Sequence, residues 1–244
     1  MCGLCRRKAL LSDPKMGSRY AGTWAWVGLG AQILLVVSWI AGGFWQGPRY
    51  SVLTDSISDM YAVTAPGAMV LVVIATMCGL ATILFAWLSV WPSLRTAGRT
   101  AAIGAALLSV SILGLGDLLS PLKRLSCRIA DEGCSPGDQV ADIGGQLDLI
   151  VSLAGILFYI GAAFFLSAAM ARVPGWHDLA GRARWFGIAF IVLLVASVVI
   201  GGLGVFGLMN RLLAITGAAG LAVLAWRIAL PVPRSYGPEN AARR

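Results

Sequence analysis

Residues 60–94 read MYAVTAPGAMVLVVIATMCGLATILFAWLSVWPSL and contain no Asp, Glu, Lys, Arg or His. A helix that crosses a bilayer needs about 20 predominantly apolar residues, and this run exceeds that length. Charge-free stretches at 20–48, 100–116, 149–171, 185–210 and 212–226 repeat the pattern on either side. The third is short but continues past Asp117 into Leu118 and Leu119, and the last is flanked by Arg211 and Arg227, whose long side chains snorkel to an interface. Helices are therefore expected near 23–45, 67–90, 100–120, 147–171, 185–205 and 210–230.

Composition agrees. Of the 244 residues, 58% are hydrophobic and 12% charged, with a mean hydropathy of +0.81, whereas a soluble domain carries about 25% charged residues. Disordered, collagen-like, coiled-coil and small disulfide-scaffold classes are excluded on the same grounds. The runs are continuous rather than alternating, so barrel strands are excluded too. Small residues recur within them, at Gly28 and Gly30, Ala101 to Ala106, and Gly201, Gly202 and Gly204, as close helix approach in lipid favours. Trp24, Trp26, Trp45, Trp91, Trp185 and Trp226 fall at the expected ends, where an interfacial aromatic belt sits. The fold class is all-α: a six-helix polytopic integral membrane bundle over 23–230, with an N-terminal segment at 1–22 and a tail at 231–244.

Basic residues orient the bundle. Arg6, Arg7, Lys8, Lys15, Arg19, Arg95, Arg99, Arg172, Arg182, Arg184, Arg227, Arg234, Arg243 and Arg244 share one face, leaving Arg49, Lys123, Arg124, Arg128 and Arg211 for the other. Most acidic residues lie with the second group. The positive-inside rule then places both termini in the cytoplasm, as an even number of crossings requires. Scarce lysine among abundant Ala and Gly points to a bacterial plasma membrane. No basic run or aromatic-studded basic surface suits nucleic acid, despite the formal charge of +8. The charge-free run 20–48 is about twice as long as a signal-peptide core of ~7–15 residues, so the first helix reads as an uncleaved anchor.

Two long loops, 46–66 and 121–146, fall on the outer face. The second holds Cys127 and Cys134, seven residues apart. In an oxidising compartment a disulfide is the favoured reading; the alternatives are two free thiols or half of a metal site. Zinc would want two further Cys or His ligands, and the loop has no His. No metal or other cofactor is expected. Cys2 and Cys5 read as bystanders, palmitoylation being the weaker alternative, and Cys78 as packing.

Charged groups at a bilayer edge are costly and often functional. Asp55 and Asp59 precede the second helix, Asp117 ends the third, Asp148 begins the fourth, and Asn210 with Arg211 begins the sixth. All lie at the outer boundary, with Ser56, Ser58 and Ser120 beside them. Arg211 has three readings: an ion pair with Asp117 or Asp148 that sets helix register, a bidentate grip on a phosphate or carboxylate of a ligand, or a residue that merely marks a helix end in contact with water. Thr54 to Asp59 also reads as a helix N-cap. Catalysis has little support. The single histidine, His177, belongs to an inner loop, so no Ser-His-Asp set can assemble outside. No span carries a charge at its middle for an ion path, and broken-helix transporter halves are not evident.

SISDMYA at 56–62, GLGDLLSP at 114–121, the acidic Cys-bearing loop and GLMNRL at 207–212 together resemble the domain of unknown function 998 family, six-helix prokaryotic membrane proteins grouped with the Frag-like proteins of GPI-lipid remodelling. The resemblance runs from about residue 23 to 230. It carries over Ser58, Asp59, Asp117 and Arg211. Many members have a His at the start of the fourth helix, where this chain has Gln146-Leu147-Asp148. The family has no settled activity, so the resemblance implies the fold and the outward polar cluster; its link to lipid remodelling is analogy between folds.

The functional expectation is an outward-facing polar pocket that binds a lipid headgroup or another amphiphile, formed by Asp55, Ser58, Asp59, Asp117, Asp148, Asn210 and Arg211. Its rivals are a lipid-modifying enzyme using paired carboxylates and a structural subunit of a membrane complex. Expected partners are membrane lipids, with a membrane protein in the last case.

Overall fold

Backbone polar groups inside a bilayer have no water to bond, so a chain this apolar satisfies them within helices. The computed structural model describes residues 14–230, with side chains from Tyr20 onward. Cys2, Cys5, the basic residues before Pro14, and the tail at 231–244 lie outside the described residues. The main helices are α1 (Pro14–Gly43), α2 (Ala68–Phe85), α3 (Arg99–Ser109), α4 (Ile143–Met170), α5 (His177–Ile200) and α6 (Phe206–Ala229). A π-helical turn at Ala86–Val90 and a further turn at Trp91–Leu94 extend α2. There is no strand among the described residues.

Five stretches are long and apolar enough to cross a membrane: Tyr20–Gly43, Ala68–Ala97, Arg99–Gly116, Ile143–Met170 and His177–Ala229. The last is 53 residues long and is not one rod. Leu203 and Gly204 leave helical geometry inside the turn Gly201–Val205, Gly204 with a φ of +85° that only glycine adopts without strain. Beyond the break α6 packs back on α5. An added Cβ at Gly220 would meet the Phe186 ring at 2.5 Å, although a straight helix would hold those residues about 50 Å apart.

Each helix packs on its neighbours in sequence, and α6 closes onto α1. Trp26 and Trp226 meet edge to face where α1 and α6 join, their ring centroids 5.5 Å apart. Gln32 Nε2 donates to Thr82 Oγ1 at 2.9 Å between α1 and α2, and Ser89 Oγ to the Ala21 carbonyl at 2.8 Å. Val37, Ile40, Val73, Met77, Ile150, Leu153, Val195 and Val198 are exposed on the outside of the ring. A soluble monomer rarely shows so large an apolar surface. These features are compatible with a membrane protein, by the length and apolar composition of its helices.

The third helix differs from the unbroken 100–120 expected. It stops at Ser109, Ser111 turns extended (ψ 173°), and a π-helical turn follows at Ile112–Gly116. Two serines and two glycines weaken the helix here, since serine hydroxyls compete for backbone carbonyls. Ser111 Oγ donates to the Leu108 carbonyl at 2.8 Å, while the N–H groups of Gly114 and Gly116 donate to the Ser111 carbonyl at 3.1 and 3.0 Å. Neighbouring glycines admit the irregular segment. A Cβ at Gly155 of α4 would lie 2.7 Å from Ile112 N, and one at Gly79 of α2 would collide with the Leu118 backbone. Wedged between these helices, the turn aims Asp117 at the bundle axis.

Candidate functional site: a buried carboxylate under a double-loop cap

The two long loops fold onto one another over the end of the ring. Val63 N–H donates to the Leu125 carbonyl at 2.9 Å, and Arg124 donates to the Tyr61 and Ala62 carbonyls at 2.9 and 3.0 Å. Arg128 pairs with Asp131 and also donates to the Gln46 carbonyl at 2.8 Å. Arg49 and Glu132 form an exposed ion pair. Cys127 and Cys134 are disulfide-bonded. Desolvation works to raise the Asp131 pKa, but hydrogen bonds from Arg128 and Thr64 outweigh it and hold the carboxyl at about 2. The Ser135 hydroxyl and N–H keep Asp138 below its ordinary value.

Three residues expected in an open pocket belong to this cap. Asp59 is 2% exposed. One of its oxygens accepts from the Ser56 N–H and hydroxyl at 2.8 and 2.7 Å, the other from Gln139 Nε2 at 2.7 Å and the Ile129 N–H at 3.1 Å. The helix N-cap expected of Thr54 to Asp59 is not what forms: α2 begins at Ala68 after Gly67, and neither it nor the short turn Ser58–Tyr61 has a side-chain cap. Asp55 accepts from the Ser51 N–H and the Thr54 hydroxyl, each at 2.9 Å. Arg211 makes no ion pair among the described residues. Its Nη1 donates to the carbonyls of Val52, Asp55 and Gly207 at 3.1, 2.6 and 2.9 Å, and its Nη2 bonds the Tyr50 hydroxyl. Burial pushes that phenol up to about 12, against the pull of Arg211.

The ion pair expected of Arg211 is instead made by Lys123. Its ammonium lies 3.0 Å from Asp148 Oδ1, and both side chains are buried. Ser152 Oγ lies 3.5 Å from the same oxygen. Lys123 also lines a cavity of about 110 Å³ at the bundle axis, together with Asp117, Ser58, Asn210, Tyr61 and Ser152. Asn210 Oδ1 accepts from the Ile57 N–H at 3.0 Å, tying α6 to the first loop, and Trp39 Nε1 donates to the Tyr61 hydroxyl at 2.7 Å. Phe190, Leu213 and Ile156 form apolar walls.

Asp117 sets the chemistry of this chamber. It is 6% exposed, and its Oδ2 is buried with no hydrogen-bond partner among the described residues. A buried acceptor left unpaired costs about 1–3 kcal/mol, more when charged. Asp117 Oδ2 is therefore an acceptor left open to a donor on a bound group. Of the expected residues, Ser58, Asp117 and Asn210 line the cavity and Asp148 adjoins it through Lys123; Asp55, Asp59 and Arg211 do not. Lys123 was missed because three of its close neighbours in sequence, Arg124, Arg128 and Glu132, are ordinary loop charges. Its position two residues after Pro121, just past the end of an apolar segment, was the only signal.

Comparison with protein-family profiles, curated proteins and solved structures finds no match to this chain. The resemblance at 56–62, 114–121 and 207–212 rests on those motifs alone. The fold and site define a class, an all-helical protein with membrane-length helices and a polar chamber beneath a disulfide-bonded cap.

Proposed function

We propose that the chain is a six-crossing plasma-membrane protein with cytoplasmic termini, and that its outer chamber binds the hydrogen-bond-donating headgroup, hydroxyl or ammonium, of an amphiphile. The sixth crossing is supported by the return of α6 along α5. Orientation is supported by charge: Arg95, Arg99, Arg172, Arg182, Arg184 and Arg227 gather at the end opposite the acidic cap. The observation that carries the binding reading is the partnerless Asp117 Oδ2 beside a cavity. At about 110 Å³ the chamber admits a few waters or a small headgroup, a water occupying about 30 Å³. Binding fits better than carboxylate-pair catalysis, because Asp148 is held by Lys123 and Asp117 alone is uncommitted.

Mass spectrometry of lipid co-purifying with the protein in neutral detergent tests the reading. Wild type should retain an amphiphile with a hydroxyl or amine headgroup, and Asp117→Leu should lose it while keeping the fold. Equal retention by the variant contradicts the proposal.

A further inference from the structure

A second cavity lies toward the other end of the bundle and is unrelated in chemistry. It occupies about 460 Å³ between α4, α5 and α6, within the ~300–1,000 Å³ usual for ligand pockets. Its walls are apolar apart from Thr216, the Tyr159 hydroxyl, which donates to the Gly217 carbonyl at 2.7 Å, and one charged group, Arg182. Along α4 the lining runs from Tyr159 to Met170, about 16 Å at helical rise. That is roughly half of a ~30 Å hydrocarbon core, the depth of one leaflet. Tyr159 also borders the outer chamber. Its ring lies 5.1 Å from Phe190 and 6.2 Å from Phe186, centroid to centroid, and these aromatics wall one cavity from the other.

The guanidinium decides what fits. Arg182 is exposed at the mouth of the slot, with no ion pair or hydrogen bond among the described residues. Arg172 and Arg227 near the same end are engaged, Arg172 with Thr100 Oγ1 and Arg227 with the Gly175 carbonyl and the Trp176 ring. An apolar slot one leaflet deep with an unengaged cation at its rim is complementary to a hydrocarbon chain bearing an anionic head. We propose that it holds one acyl chain of an anionic phospholipid from the leaflet at the Arg182 end, with the phosphate on Arg182. The site is separate from the Asp117 chamber and stands whether or not that chamber binds a headgroup.

Native mass spectrometry of the full chain in neutral detergent, with phosphatidylglycerol, phosphatidylcholine or palmitate added, tests this. A single phosphatidylglycerol adduct is expected, favoured over phosphatidylcholine by about fivefold for one basic contact, and over palmitate. Arg182→Gln should remove the preference, Arg182→Lys should keep it, and Ala219→Phe, filling the slot, should reduce both phospholipid adducts. Since Ala219→Phe alters packing, the location is also read on wild type with phosphatidylglycerol carrying a photoreactive acyl chain. Labelling should fall within 159–170, 179–186 or 215–224. No anionic preference in wild type, palmitate bound as well as phosphatidylglycerol, or labelling confined to α1 and α2 would overturn the proposal.

Discussion

Lys123 Nζ sits 3.0 Å from Asp148 Oδ1 at the capped end of the bundle, with only 6% and 11% of the two side chains exposed. The pair joins the loop after the π-helical turn to the start of α4, and so holds the wall against which Asp117 stands. Removing one partner of such a pair strands the other charge and typically costs about 3–5 kcal/mol. Lys123→Met should destabilise the protein by that order, and adding Asp148→Leu should recover much of the loss. Unfolding of the two single variants and the double variant in detergent measures the coupling; additive losses would show that the pair is not a unit.

Arg211→Lys should destabilise by about 1–3 kcal/mol, because a single ammonium does not reproduce a planar fork that reaches three carbonyls and a phenol. Arg211→Ala should do so more severely, with loss of folded yield. Thermal melting in detergent checks both. An Arg211→Ala protein as stable as wild type would return Arg211 to ligand binding.

Asp131 makes the cap sensitive to acid. Its folded pKa of about 2 lies below the ~3.9 of an unfolded aspartate, so its contribution is fully present above about pH 4 and lost as pH falls through 2. Asp131→Asn should lower the melting temperature at pH 7 and flatten its fall between pH 4 and 2. An unchanged profile would show that the Arg128 and Thr64 contacts contribute nothing.

Opening the Cys127–Cys134 disulfide should cost about 2–3 kcal/mol for so short a loop. The loss should be felt in the cap, because Gln139 and Ile129 beside it hold Asp59. Hydrogen exchange of the Cys127→Ser/Cys134→Ser variant should speed up over 46–66 and 121–142, leaving α1 and α4 unchanged. Uniform acceleration would place the disulfide's role elsewhere.

The apolar helices were legible because composition alone dictates them, and the disulfide because two cysteines shared one polar loop. The turn at Gly204 falls where the expected 185–205 helix ends, but the break at Ser111 was not legible. It depends on a close approach between segments, Gly155 to Ile112, that no local pattern announces. The level of the polar residues was readable, but their partners were not. Arg211 bonds backbone carbonyls, which every residue possesses, and Asp59 is satisfied by Ser56 within the motif and by Gln139 eighty residues away. What sets Asp117 apart among the carboxylates is a buried oxygen without a partner beside a cavity, and that emerges only once the surrounding helices are in place.

An experimental structure determined in native lipid, examined at Asp117 Oδ2, bears most directly on the central claim. A non-protein hydroxyl or ammonium should lie within about 3.2 Å of that oxygen, a normal hydrogen-bond distance, with Lys123 still on Asp148. A protein donor occupying that position, or side chains filling the chamber, would contradict it.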